Sequence, residues 1–164
     1  MNEFVLEAAA MHVSDIMTAN PTTIDQNSTL HGAMETMERI GCHHLPVLSV
    51  DRHLIGIISD HDCRRALNVW DHQWRESKLA HRLLVRSVMT PAPIIIEPHA
   101  PAFEAARLML AGYIRCLPVM RGETLIGIIT TSDLLIAFMN LDRGDGDFSH
   151  ETVDSIRKRS WFNR

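Results

Sequence analysis

The chain has 164 residues, 46% of them hydrophobic, and a formal charge of −4 in which acidic and basic residues are interspersed. Such a balance argues against a non-specific binder of nucleic acid or membrane, which would carry a basic face or run. Met1 to Met11 lack the basic start and long apolar core of a signal peptide, no apolar run approaches the ~20 residues that span a bilayer, and three cysteines without CxxC spacing suggest a reducing compartment, so a cytoplasmic location is expected.

Residues 1–12, with Phe4, Val5, Leu6 and three alanines, form an expected helical extension. Val13 to Met17 reads as one helical turn that Asn20-Pro21 terminates, and Thr22 to Asp25 as a short strand. From Thr29 a helix follows, with Leu30, Ala33, Met34, Met37 and Ile40 on one face and Gly41 as its stop. Strands are expected at His44–Val50 and Leu54–Ser59, the second an almost continuous aliphatic run of the kind buried on both faces. A helix from about Asp60 turns Cys63, Ala66 and Leu67 inward and is expected to continue, with a bend, through Trp70 and Trp74 to Leu84. Then the order repeats: a turn from Val85, a strand at Ile94–Glu97, a helix from about Pro101 to Gly112, strands at Cys116–Met120 and Leu125–Thr130, and a helix to about Met139. Beyond it lie an acidic, glycine-rich break at 142–147, which lacks the ligand spacing of a calcium loop, and an expected final helix from Ser149 to Arg164.

Each half therefore reads βαββα, and the halves are copies. An offset of 72 places Met17-Thr18 on Met89-Thr90, Pro21 on Pro93, Ala33 on Ala105 and Leu45-Pro46-Val47 on Leu117-Pro118-Val119. After a turn that is one residue longer in the first copy, an offset of 71 places Leu54-Ile-Gly-Ile-Ile-Ser-Asp-His-Asp62 on Leu125-Ile-Gly-Ile-Ile-Thr-Thr-Ser-Asp133. Each half is too small to bury a comfortable core alone, so the two are expected to pack together.

The Met-Thr-x-x-Pro opening, the Leu-Pro-Val strand and the Gly-x-x-[Ser/Thr]-x-x-Asp junction, in that order in both halves, resemble a tandem pair of CBS domains, the Bateman module that senses adenine nucleotides. The resemblance covers roughly Val13 to Met139. It implies an α/β (α+β) fold of two βαββα repeats packed with pseudo-two-fold symmetry, plus terminal helices, divided as 1–12 extension, 13–69 first repeat, 70–84 connector, 85–139 second repeat and 140–164 acidic loop and helix.

Ser59-x-x-Asp62 and Thr130-x-x-Asp133 admit two readings from their chemistry. One is a capping box, in which hydroxyl and carboxylate satisfy backbone N–H groups of the helix start. In the other, the carboxylate accepts hydrogen bonds from both hydroxyls of a ribose. The resemblance favours the second, with Asp62 and Asp133 on the ribose and Ser59 and Thr130 on ribose or phosphate.

It also implies a phosphate role for His43 and Arg115, at equivalent positions two residues before each Leu-Pro. Arginine clamps phosphate at any pH, whereas histidine is the stronger partner when protonated, below ~6.5. His61 is a further phosphate candidate. By similarity the adenine slot is lined by Ile24, Ala33, Cys42 and Ile58 in one half, with Ser28 adding a contact, and by Ile96, Ala105, Ile114 and Ile129 in the other. In similar proteins each cleft mixes the base wall of one repeat with the aspartate of the other.

No nucleophile, base and orienter come together in the pattern, and His43-His44 and His61-Asp62-Cys63 diverge too much to share a metal ion, so neither catalysis nor a metal site is expected. The function expected is a standalone regulatory module that binds AMP, ADP, ATP or S-adenosylmethionine, with no obligatory cofactor, and transmits ligand state to a regulated protein. The alternative is a ligand-free dimerisation module, and a third reading is RNA binding through Arg157 to Arg164, against which the acidic total weighs. A homodimer is expected by resemblance, with helix faces around Leu30–Met37 and Phe103–Leu110 at its interface.

Overall fold

The computed structural model describes residues 11–142, and the expected terminal helices lie outside them. The fold is mixed α/β and divides into two compact units, one of residues 22–93 and one joining residues 11–21 to residues 94–142. Among the described residues no helix is long and apolar enough to cross a membrane.

In the first unit, β2 (Ile24–Asp25) pairs parallel to β3 (His44–Leu48), which pairs antiparallel to β4 (Leu54–Ser59), which pairs antiparallel to β5 (Thr90–Pro91). Helices α2 (Leu30–Ile40) and α3 (Asp60–Leu67) belong to the same unit. In the second, β1 (Thr18–Ala19) pairs antiparallel to β7 (Thr124–Thr130), which pairs antiparallel to β6 (Cys116–Arg121), alongside α1 (Val13–Ile16), α4 (Ala102–Gly112) and α5 (Thr131–Asp142). The units therefore cut across the sequence repeats. The Met-Thr opening of each copy completes the sheet of the other, Thr18 opposite Ile128 and Thr90 opposite Ile57.

The helices start and stop for local reasons. Thr29 caps α2, its Oγ1 accepting from Gly32 N at 3.2 Å, and Gly41 ends it at φ 69°, as expected from its position. The buried face of α2 is Leu30, Ala33, Met34 and Met37. Pro101 takes the N-cap of α4, and Tyr113 rather than Gly112 adopts the left-handed cap, at φ 52°. Pro46 and Pro118 sit inside the sheets because their missing N–H groups face a short neighbour. The carbonyl of Pro118 accepts from Ile96 N at 3.0 Å, so its nitrogen points to the same side, where that neighbour consists of a single bridge.

Three expectations are corrected. The helix from Asp60 does not continue to Leu84: Asn68 turns left-handed at φ 52°, and the connector forms a 3₁₀ helix at Asp71–Glu76. The turn delivers Trp74 into the core of its unit, edge-on to His31, which stacks on His81 with ring centroids 3.9 Å apart. Trp70 stays exposed. Ile94–Glu97 is not a strand either, since only Ile96 bridges to Val119, between Pro93 and Pro98. Finally, Leu30 to Met37 cannot supply a dimer interface, because Leu30, Ala33, Met34 and Met37 are core; Phe103 and Leu110 do remain exposed.

Gly56 and Gly127 explain why each strand of the duplicated stretch carries a glycine. A Cβ on Gly127 would lie 2.4 Å from Met17 Sδ, and one on Gly56 would lie 2.6 Å from Met89 Sδ and 3.0 Å from the backbone oxygen of Thr90. The opening methionine of each copy thus lies directly over a bare backbone. A methionine side chain can swing aside, whereas a strand carbonyl cannot. Gly56→Ala is accordingly expected to lower stability by about 1–3 kcal/mol, and Gly127→Ala by less. Urea unfolding of both variants measures the difference, and pairing Gly127→Ala with Met17→Ala should recover part of the loss.

Candidate functional site

Both copies of the strand-to-helix junction have the same construction. Ser59 closes β4 and caps α3: its Oγ accepts from Asp62 N at 3.1 Å and donates to Asp62 Oδ2 at 2.6 Å, while its N–H donates to the same oxygen at 3.3 Å. In the other unit Thr130 Oγ1 and N donate to Asp133 Oδ2, each at 2.7 Å, and Asp133 N donates back to Oγ1 at 3.4 Å. The capping chemistry is thus realised twice, with Ser59 and Asp133 buried. In both, one carboxylate oxygen belongs to the helix. The other oxygen of Asp62, Oδ1, accepts from Arg65 Nη2 at 3.3 Å in an exposed pair.

The phosphate candidates are held at these junctions by the backbone. Asp60 N donates to the carbonyl of His43 at 3.1 Å, and Thr131 N to that of Arg115 at 3.0 Å. His43 and Arg115 thereby stand at equivalent places beside Ser59–Asp62 and Thr130–Asp133, and both side chains are exposed. His61 is exposed too, one turn position further, with its N–H on Asp60 Oδ1 at 2.8 Å.

The proposed adenine residues divide by burial. Ile24, Ala33 and Ile58 lie in the core of one unit, and Ile96, Ala105 and Ile129 in that of the other. Cys42, Ser28 and Ile114 are half-buried and retain surface for a ligand; the Cys42 thiol lies 3.5 Å from the carbonyl oxygen of His44.

Sequence reasoning passed over the charged neighbours of the first junction. Asp60 Oδ2 lies 3.2 Å from His43 Nδ1 and 3.4 Å from Arg64 Nη2. The signal was present as helical spacing, Asp60 to Arg64 at i,i+4 and Asp62 to Arg65 at i,i+3. Burial works to raise the Asp60 carboxyl, but the hydrogen bond and charge of His43, the charge of Arg64 and the His61 N–H outweigh it, and the net shift is downward. Behind this surface, burial together with the charges of Asp62 and Asp60 pushes the Cys63 thiol up to about 12.

Two stretches, residues 13–69 and 85–140, match the family model of the CBS domain. A CBS domain-containing protein of Dictyostelium discoideum is 36% identical over 129 residues, a match covering 75% of this chain and 88% of the relative. Of two further curated relatives, 27% and 26% identical, the chain spans 48% and 65% of the length. Among solved structures, CBSX2 of Arabidopsis thaliana in complex with AMP is 28% identical at a TM-score of 0.65, covering 80% of this chain and 98% of that one. The CBS domain pair of protein MJ0100 in complex with 5′-methylthioadenosine and S-adenosyl-L-methionine is 25% identical at a TM-score of 0.67, covering 78% and 99%.

Two chemical consequences can be measured. Because the folded-state carboxyl of Asp60 titrates below the ordinary aspartate value of ~3.9, its pairing contributes stability that is complete above that value and is lost as pH falls through the lower folded one. Carbon NMR of the side-chain carboxyl should show Asp60 titrating low, and moving upward in His43→Ala. For Cys63, a buried thiol that stays protonated at pH 8 should resist iodoacetamide. In a Cys42→Ser, Cys116→Ser background, mass spectrometry should find no adduct until denaturant is added.

Proposed function

The chain belongs to the CBS-domain family, and on that premise we propose that it is a regulatory module that binds an adenosyl ligand at its hydroxyl-aspartate junctions and passes ligand state to a partner protein. One observation carries the reading: the same hydroxyl and carboxylate stand at the same strand-to-helix junction in both units, each with a basic residue at its side. The AMP complex of CBSX2 and the methylthioadenosine and S-adenosylmethionine complex of MJ0100 support the choice of ligand class.

The chemistry follows from the carboxylates. Asp62 and Asp133 are acceptor-only groups when ionised, and a cis-diol presents two donors to them. At Asp62 the ribose replaces Arg65, an exposed partner whose loss costs little. Ser59 and Thr130 stand beside these carboxylates within reach of the ribose, and the basic residue at each junction, His43 or Arg115, is the group nearest the ligand's 5′ end. Cys42, Ser28 and Ile114 flank the base. Ligand state reaches a partner as a population shift, limited by the ligand's differential affinity for the two conformations. The site residues supply binding groups, and no catalytic role is assigned to any of them.

A second reading, a dimerisation module, draws on a specific surface. Phe103, Leu110 and Tyr113 of or beside α4, and Leu135, Phe138 and Met139 of α5, are all exposed on one unit. The two readings are compatible in one homodimeric sensor.

Calorimetric titration of AMP, ADP, ATP and S-adenosylmethionine into ligand-stripped protein separates them. Saturable binding is expected with at least one ligand, weakened at least about tenfold by Asp62→Ala or Asp133→Ala, the order of a charge-assisted hydrogen bond. Folded protein that gives no heat with any of the four would leave the dimerisation module as the function.

A further inference from the structure

The two junctions share their ribose chemistry and differ in their charge. At the position after the capping hydroxyl, one copy has Asp60 and the other Thr131, and both residues hold the phosphate candidate through the same backbone bond. In the Thr131 copy the side chain is neutral, its Oγ1 bonding the Arg115 carbonyl at 3.1 Å. Among the described residues Arg115 makes no ion pair, and its guanidinium offers several donors at any pH.

In the other copy the basic groups face a carboxylate. Asp60 Oδ2 holds both His43 Nδ1, at 3.2 Å, and Arg64 Nη2, at 3.4 Å, while Arg65 pairs with Asp62. A carboxylate can only accept, so Asp60 takes up the Nδ1 side of the His43 ring and the Arg64 guanidinium together. A phosphate drawn to this junction approaches the charge of Asp60, a half-buried carboxylate, and competes with it for His43 and Arg64.

We propose that Asp60 sets the ligand charge at its junction, so that at neutral pH the Asp62 half-site takes an adenosyl ligand without a phosphate, neutral or cationic, while the Asp133 half-site takes a phosphorylated one. The assignment rests on the adenosyl-binding reading above. It makes the protein responsive to two chemical classes: an adenine nucleotide at one junction, and a nucleoside thioether or sulfonium at the other.

The test uses the full chain at pH 7.5, with AMP and 5′-methylthioadenosine as probes and calorimetry as the readout. Asp133→Ala isolates the Asp62 half-site, which should prefer methylthioadenosine; Asp62→Ala isolates the other, which should prefer AMP. Adding Asp60→Asn to the first background removes the charge while keeping the shape, and should raise AMP affinity about tenfold with methylthioadenosine changed by less than about twofold. Adding Thr131→Asp to the second should weaken AMP by a similar factor, and it carries the test alone should Asp60→Asn fail to fold by circular dichroism. If both probes bind but their ratio is unmoved by these substitutions, the charge assignment is wrong and the adenosyl reading stands. If neither probe nor any other adenosyl ligand binds the unmutated chain, that reading falls and takes the assignment with it.

Discussion

In each unit a methionine lies on a glycine, and the strand that carries the glycine depends on that approach. Met17 covers Gly127 and Met89 covers Gly56, at distances that admit no Cβ between them. That approach lets two-residue strands, β1 and β5, lie against β7 and β4, which would otherwise present an open edge. The covered strand then runs on for three residues to its capping hydroxyl. The geometry of the junction, and with it whatever the aspartate does, is referred back to that contact.

At the junction itself one carboxylate serves the helix cap and, in the proposed function, the ligand. Oδ2 of Asp62 and of Asp133 belongs to the helix cap, a role of about 1 kcal/mol in typical cases. The cap also fixes the direction of the second oxygen, so in the proposed function a ligand would meet an acceptor already oriented. Capping and the proposed binding role are therefore compatible: the cap would preorganise the carboxylate for a ligand.

The fold was legible in the chain because it occurs there twice. Aliphatic runs bounded by polar turns gave β3, β4, β6 and β7, and Gly41 marked the end of α2 to the residue. The connector was misread because Trp70 and Trp74 continue an apolar rhythm; what decides it is Asn68, which readily turns left-handed, and burial of Trp74 against His31, a tertiary contact that no local pattern announces. Ile94–Glu97 failed for the opposite reason, since three isoleucines favour a strand but Pro93 and Pro98 leave room for one bridge. At the site, Ser59, Thr130 and the two aspartates followed from spacing, whereas the hold of Asp60 on His43 joins two elements distant in sequence and is visible only once β3 and α3 are side by side.

The repeat that was duplicated and the body that folds are out of phase. Residues 22–93 form one continuous stretch, so a ribosome releases everything that unit needs in a single pass, β5 last. Residues 11–21 emerge first, yet their sheet partner β7 begins more than a hundred residues later, at Thr124. During synthesis the α1 and β1 segment must wait, with Met11, Val13 and Ile16 apolar and uncovered, while a neighbouring body assembles ahead of it. Long-range closure of this kind is slow relative to local pairing, so β1 is expected to join β7 after the local strand pairs have formed.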